Sequence, residues 1–164
     1  GYFYKKNFYV VDRKFKVSNG PAVDERSNSL YFSDSFKSKI YKYDLKNFKK
    51  KTLINFEKKH GFPDGLALDS EQGLWVAHWG GSKITRINLK NGKIDQEIQI
   101  PAFNVTSVTF VGKKLDHLFV TTASFELTKT QMKNFNHSGS SFIFKINYRG
   151  IKIPYSNIKY NNDI

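Results

Sequence analysis

The sequence predicts an all-β fold, a β-propeller seen in part, and three observations carry that prediction. The first is repetition. Ala22-Val23-Asp24 returns as Ala67-Leu68-Asp69 at an offset of 45, and Leu30-Tyr31-Phe32 returns as Leu74-Trp75-Val76 at 44. Ile40-Tyr41-Lys42-Tyr43-Asp44 returns as Ile84-Thr85-Arg86-Ile87-Asn88, again at 44. The second is the internal order of each copy: short apolar or alternating runs separated by polar turns, four strands per unit, the pattern of a propeller blade with its period of ~40–45 residues. The third is composition. Aromatic residues make up 16% of the chain, with fifteen Phe and nine Tyr, side chains that favour a pleated, half-buried surface. A β-sandwich is the alternative, but offsets kept across three element types argue against chance likeness.

Taken in order, residues 1–17 read as the end of an earlier blade, with Gly1-Tyr2-Phe3-Tyr4 and Phe8-Tyr9-Val10-Val11 as its third and fourth strands. The first full repeat covers 18–62, the second 63–103 and the third 104–150, leaving 151–164 as a C-terminal segment. In the first, a polar turn at Asp24–Ser29 separates two strands, and Lys51–Phe56 forms the last strand. In the second, Asp69–Gly73 is the matching turn, and Lys90-Asn91-Gly92-Lys93 carries Asn-Gly, a strong hairpin signal. Leu118-Phe119-Val120 places the third copy at an offset of 44 from Leu74-Trp75-Val76, and Phe142–Asn147 ends it. That copy holds an insertion of roughly fifteen residues around Phe125 to Ser141. The chain thus amounts to about three and a half blades, whereas propellers close with ~4 to 8. An open array leaves an uncovered apolar face, so completion is expected from N-terminal blades upstream or from a partner chain.

Composition narrows the function classes. Without cysteine the chain has no disulfide, thiolate nucleophile or Cys-bound zinc. No apolar run approaches the ~20 residues of a membrane helix, so a soluble protein is expected, cytoplasmic or periplasmic/secreted, with no membrane partner. The net charge of +13 comes mostly from Lys, densest at Lys49-Lys50-Lys51 and Lys58-Lys59 between apolar segments. Without a nucleic-acid motif that charge reads as solvated edges and loops, and no nucleic-acid partner is expected.

Chemistry concentrates where inner strands begin. In a propeller the first strand of each blade lines the central channel, so the residues just before it meet around one mouth. Here they are Ser18-Asn19-Gly20, Pro63-Asp64-Gly65 and Val105-Thr106-Ser107. Asn19 and Asp64 match at an offset of 45, and two oxygen donors at matched positions suit a hard cation. Asn-Gly and Asp-Gly are also ordinary turn dipeptides, the bland alternative. Thr106, Ser107 and Trp79 are channel-lining candidates, with packing as the alternative for each. His78 reads as a loop residue beside a packed Trp79, and Asp34-Ser35, Asp44 and Asp69 read as turn formers. His60, His117 and His137 are scattered singly. Asn104-Val105-Thr106 and Asn136-His137-Ser138 fit the glycosylation pattern.

The same residues carry a family resemblance. Ser18-Asn19-Gly20-Pro21-Ala22 followed by Leu30–Ser35 and Ile40–Asp44, then Pro63–Asp69 followed by Gly73–Ala77 and Trp79-Gly80-Gly81, resemble two successive blades of the regucalcin (senescence marker protein)/gluconolactonase family. Thr106–Phe110 and Leu118–Ala123 resemble the next. The resemblance implies six blades, one divalent cation on the axis and, in many members, hydrolysis of sugar lactones. It implies three ligands: an upstream Glu with no counterpart here, the Asn of Asn-Gly and the Asp of Pro-Asp-Gly. Asn19 and Asp64 match the last two, and by resemblance Asp64 is also the general acid/base. The implied cation is Ca²⁺ in the first place, with Mg²⁺, Mn²⁺ and Zn²⁺ compatible, and the implied partner is a small-molecule lactone. A non-catalytic, regucalcin-like cation-binding or interaction propeller is the alternative.

Overall fold

A computed structural model describes residues 2–4 and 7–153 of the chain. Among the described residues the strands pair only with sequence neighbours. β1 (Tyr2–Tyr4) and β2 (Asn7–Tyr9) form an antiparallel hairpin in which Tyr2 faces Tyr9. β3 (Ser18–Asp24), β4 (Ser29–Asp34), β5 (Lys39–Asp44) and β6 (Lys50–Asn55) form one four-stranded meander. β7 (Phe62–Leu68), β8 (Gly73–Trp79), β9 (Lys83–Asn88) and β10 (Lys93–Gln99) form the next. β11 (Asn104–Val111), β12 (His117–Ala123) and β13 (Ser141–Lys145) form a three-stranded sheet among the described residues. Inner strand packs beside inner strand, β3 on β7 and β7 on β11, so these are successive propeller blades. Gly1 and residues 154–164 of the expected C-terminal segment lie outside the described residues. No helix among the described residues is long and apolar enough to cross a membrane.

The repeat is visible in the backbone as well as in the sequence. Asn28 and Gln72, 44 apart, both take left-handed φ, at 48° and 61°. So do Ser38 and Ser82, both at 52°. Asp44 Oδ1 accepts from Lys46 N at 2.7 Å, and its counterpart Asn88 Oδ1 accepts from Lys90 N at 3.0 Å. Such short side-chain caps fix the turn and with it the hairpin register. The Asn-Gly hairpin forms as expected, with Gly92 N donating to Asn88 O at 2.8 Å.

Two cores hold the blades together, and β8 belongs to both. Leu74 and Val76 face the first blade and join Tyr31, Ile40 and Leu66. Trp75 and Ala77 face the third and join Val105, Leu118 and Val120. Side chains alternate across a strand, so a strand covered on both faces must be apolar at every position. Gly73–His78 are accordingly all buried. The outer strand β10 alternates half-buried Ile94 and Ile98 with exposed polar residues.

The third repeat, expected to hold four strands, shows three among the described residues. Its insertion contains a helix: Lys129–Asn134 form α1, started by a capping box in which Gln131 N donates to Thr128 Oγ1. After β13 the chain turns back beneath the second blade. Ser70 N donates to Arg149 O at 2.7 Å, and Asp69 bridges Gly150.

Candidate functional site

The site is built on an irregularity shared by the three inner strands. In β3 the register shifts between Asn19 and Ala22, in β7 between Pro63 and Leu66, and in β11 between Val105 and Ser107. Each is a β-bulge, a device that breaks strand alternation and re-aims a side chain. The bulge follows Asn19 directly and contains Asp64 and Thr106. The alignment that placed these three residues at equivalent positions therefore coincides with a repeated backbone feature at the leading end of each inner strand.

The glycines let the strands close up. Gly20 has φ +91°, and a Cβ there would lie 3.0 Å from Leu66 Cδ1 on the next inner strand. A Cβ on Gly65 would lie 2.3 Å from Ser107 Oγ and 2.7 Å from Ser107 Cα. A side chain at Gly65 would crowd the backbone of β11, whereas one at Gly20 would meet the flexible end of Leu66 and be disfavoured chiefly by the positive φ.

Two serines on β4 and the turn after it join the ligand candidates. Ser35 Oγ donates to Pro63 O at 2.7 Å and accepts from Asn19 Nδ2 at 2.9 Å. Ser33, the cross-strand neighbour of Asn19, donates from its Oγ to Asp64 O at 3.1 Å. The Asn19 amide is thus one serine away from the peptide that carries Asp64. Sequence reasoning read Ser35 only as part of a turn and passed over Ser33. The turn role belongs to Asp34, whose carboxylate accepts from the N–H groups of Lys16 and Val17 and pairs with Lys37 at 3.0 Å. A signal was available for Ser35: at an offset of 44 it becomes Trp79 and at the next Ala123, so its hydroxyl does not recur in the two following blades.

Asp64 is half-buried, and among the described residues its carboxylate has no hydrogen-bond or ion-pair partner. Burial without compensation pushes its pKa up to about 6. A carboxylate in that state is short of a cation or a proton. Asn19 Oδ1 likewise accepts no hydrogen bond among the described residues. These two oxygens fit a hard cation by donor type. Among the described residues no group of three or more His, Asp or Glu comes together to hold a metal.

The other candidates divide. Ser107 is exposed and lies against Gly65. Thr106 is half-buried, its hydroxyl shared with Thr121 Oγ1 at 2.7 Å. Trp79 is half-buried at the end of β8 opposite Phe62, in the place Ser35 takes one blade earlier. His78 is not in a loop: it lies within β8, one residue from its end, fully buried and edge-on to Phe56, with Nε2 2.8 Å from Thr85 Oγ1. Burial first, then the charges of Lys83 and His60, holds its pKa down at about 3. Asp69 does more than form a turn. It is buried at the far end of β7, where it accepts from Arg86 Nε at 2.6 Å, Trp75 Nε1 at 2.9 Å and Gly73 N at 2.7 Å. Burial works to raise its pKa, but these bonds outweigh it and hold the carboxyl ionised. Asn104 is buried and donates to Phe125 O, which removes it as a glycosylation acceptor in the folded chain.

Comparison with known proteins identifies the family and the fold. Regucalcin of Xenopus laevis is 34% identical over 152 residues, covering 90% of this chain and 49% of its own length. The protein named "Putative sugar lactone lactonase YvrE" of Bacillus subtilis is 30% identical over 154 residues, covering 89% and 52%. The solved structure of a calcium-binding regucalcin from Agrobacterium tumefaciens superposes with a TM-score of 0.76 at 22% identity, over 84% of this chain and 48% of that one, a likeness of fold. The chain therefore spans about half the length of the curated relatives it matches. The family described as SMP-30/Gluconolactonase/LRE-like region matches residues 4–124, and the chain belongs to that family.

Proposed function

We propose that this chain contributes the Asn19/Asp64 part of a divalent-cation site in a lactonase-like hydrolase that opens a sugar lactone or a similar ester. The observation that carries the proposal is the half-buried, unpartnered Asp64 carboxylate on a bulge beside Asn19. When bound, a divalent cation would polarise the ester carbonyl and ease ionisation of water. Asn19 would contribute a neutral oxygen. Asp64 would hold the cation through one carboxylate oxygen and accept the proton of the attacking water through the other. A pKa near 6 suits a base working near neutrality, and a bound cation would lower it. In that double role the second carboxylate oxygen of Asp64 would have to stay free for the proton. Phe36 and Phe62, exposed and 5.4 Å apart between the first two blades, offer an apolar edge beside the site. Family membership and the resemblance to a lactonase by name support the reaction class.

The test uses a polypeptide in which the propeller is complete. Lactone opening should be lost with EDTA, recovered with Ca²⁺ and lost again in Asp64→Asn. Full turnover in Asp64→Asn would end the mechanism. The same ligand pair also fits cation binding without turnover, because a fold hosts many functions. Ca²⁺ binding that needs Asn19 and Asp64, with no hydrolysis across a panel of lactones, would select that reading.

A further inference from the structure

We infer that Ser35 is a positioning residue for the cation site: it fixes which way the Asn19 amide faces. The inference rests on the proposed cation site. Ser35 is buried, and its hydroxyl has one proton, which goes to Pro63 O at 2.7 Å. Toward Asn19 it can then only accept, so the amide must present Nδ2, which it does at 2.9 Å. Oδ1 is thereby turned away from the serine and left free to bind. Without Ser35 the amide could rotate, and a flipped Asn19 would aim two N–H donors at a cation. Ligand orientation by an outer hydrogen bond is a general way of raising metal affinity.

A plain inter-blade fastener is the competing explanation, and the repeats argue against it. A fastener needed at every blade junction would recur. At an offset of 44, however, Ser35 becomes Trp79, and at the next becomes Ala123. The hydroxyl occurs beside the one inner strand that starts with an amide ligand candidate. Ser33 plays a different part: its hydroxyl holds the Asp64 carbonyl rather than the Asn19 amide.

The test is Ca²⁺ affinity measured by calorimetry on the polypeptide with a complete propeller. Ser35→Ala should weaken binding about 10-fold, and Ser35→Thr, which keeps the hydroxyl, should bind as the unmodified protein does. In an Asn19→Ala background, Ser35→Ala should cause no further loss, because the amide it orients is gone. A purely structural serine would lower affinity by the same factor in both backgrounds, and that result, or an unchanged affinity in Ser35→Ala alone, would overturn the inference. If Ser35→Ala fails to fold, Ser35→Cys fills the same space with a weak hydrogen-bonding group, and the same background-dependent loss is expected. Absence of Ca²⁺ binding in the unmodified protein would instead bring down the cation site itself, and this inference with it.

Discussion

Replacing Asp64 by Asn should stabilise the cation-free protein while removing its chemistry. The carboxyl's pKa is up at about 6, against an ordinary value of 3.8, because burial penalises its charge and nothing nearby offsets it. Between those two pH values the unfolded chain releases a proton that the folded chain holds. The folded state therefore loses stability as pH rises from 3.8 through 6. For a fully shielded group that gap corresponds to about 3 kcal/mol above pH 7. Asp64 is half-buried, and screening by water reduces the figure to about 1–2 kcal/mol. Asn keeps the shape without the charge. In urea unfolding with EDTA at pH 7.5, Asp64→Asn should therefore move the midpoint up by about 0.5–1 M, taking a denaturant slope of about 2 kcal/mol/M. At pH 3.5 the two proteins should unfold together. Added Ca²⁺ at a hundred times its dissociation constant should raise the unmodified protein by about 2.7 kcal/mol and leave Asp64→Asn unmoved. A variant less stable than the parent at pH 7.5 but equal to it at pH 3.5 would refute the argument, because Asp64 would then be a paired, stabilising anion.

Other outcomes follow from the same structure. Asn19→Ala should weaken Ca²⁺ binding at least 10-fold with little change in apo stability, read by calorimetry and urea midpoints. His78 is buried neutral, so stability should be full above its ordinary pKa of 6.5 and fall as pH drops from there toward about 3, reaching a loss of about 2 kcal/mol at pH 5. His78→Gln should remove that acid sensitivity in a comparison of unfolding at pH 7 and pH 5. Gly65→Ala should cost about 2–3 kcal/mol by overpacking against Ser107, and Ser107→Gly in the same chain should recover part of the loss. Leu74→Ala, in the core shared by the first two blades, should cost 2–5 kcal/mol and leave Ca²⁺ affinity unchanged in whatever fraction remains folded.

What the sequence disclosed depends on the range of the interactions involved. Blade order was legible because strand alternation and turn chemistry are local and recur at 44 residues: Asn28 and Gln72, or Asp44 and Asn88, repeat down to the conformation or hydrogen bond. Asn19 and Asp64 could be aligned for the same reason. Ser33 and Ser35 could not be connected to them, because the bonds to Asp64 O and Pro63 O cross a blade junction and depend on how the sheets dock. His78 read as a loop residue because it follows the apolar run Leu74–Ala77. Its burial comes from Phe56 and His60, on the connection from the preceding blade. Asp69 read as a turn former, which is its local role, while Arg86 reaches it from 17 residues away. The helix in the insertion had a visible signal in Thr128-Lys129-Thr130-Gln131, a capping-box pattern that the search for strands passed over.

The bulges at the leading ends of the inner strands have a consequence for how such a protein can change. In a regular strand, each side chain is committed to one face by alternation, so a new residue there disturbs the packing of a blade. A bulge interrupts that commitment for a residue or two. The neighbouring strands hold their register on either side of it, with Ala22 against Tyr31, Leu66 against Val76 and Ser107 against Thr121. Three blades already carry three different residues at or next to these points: a neutral amide just before the bulge in β3, a carboxylate in that of β7 and a hydroxyl in that of β11. The framework and the residues at the leading ends of its inner strands are therefore separable, and selection can exchange one such residue for another without rebuilding the sheets that present it.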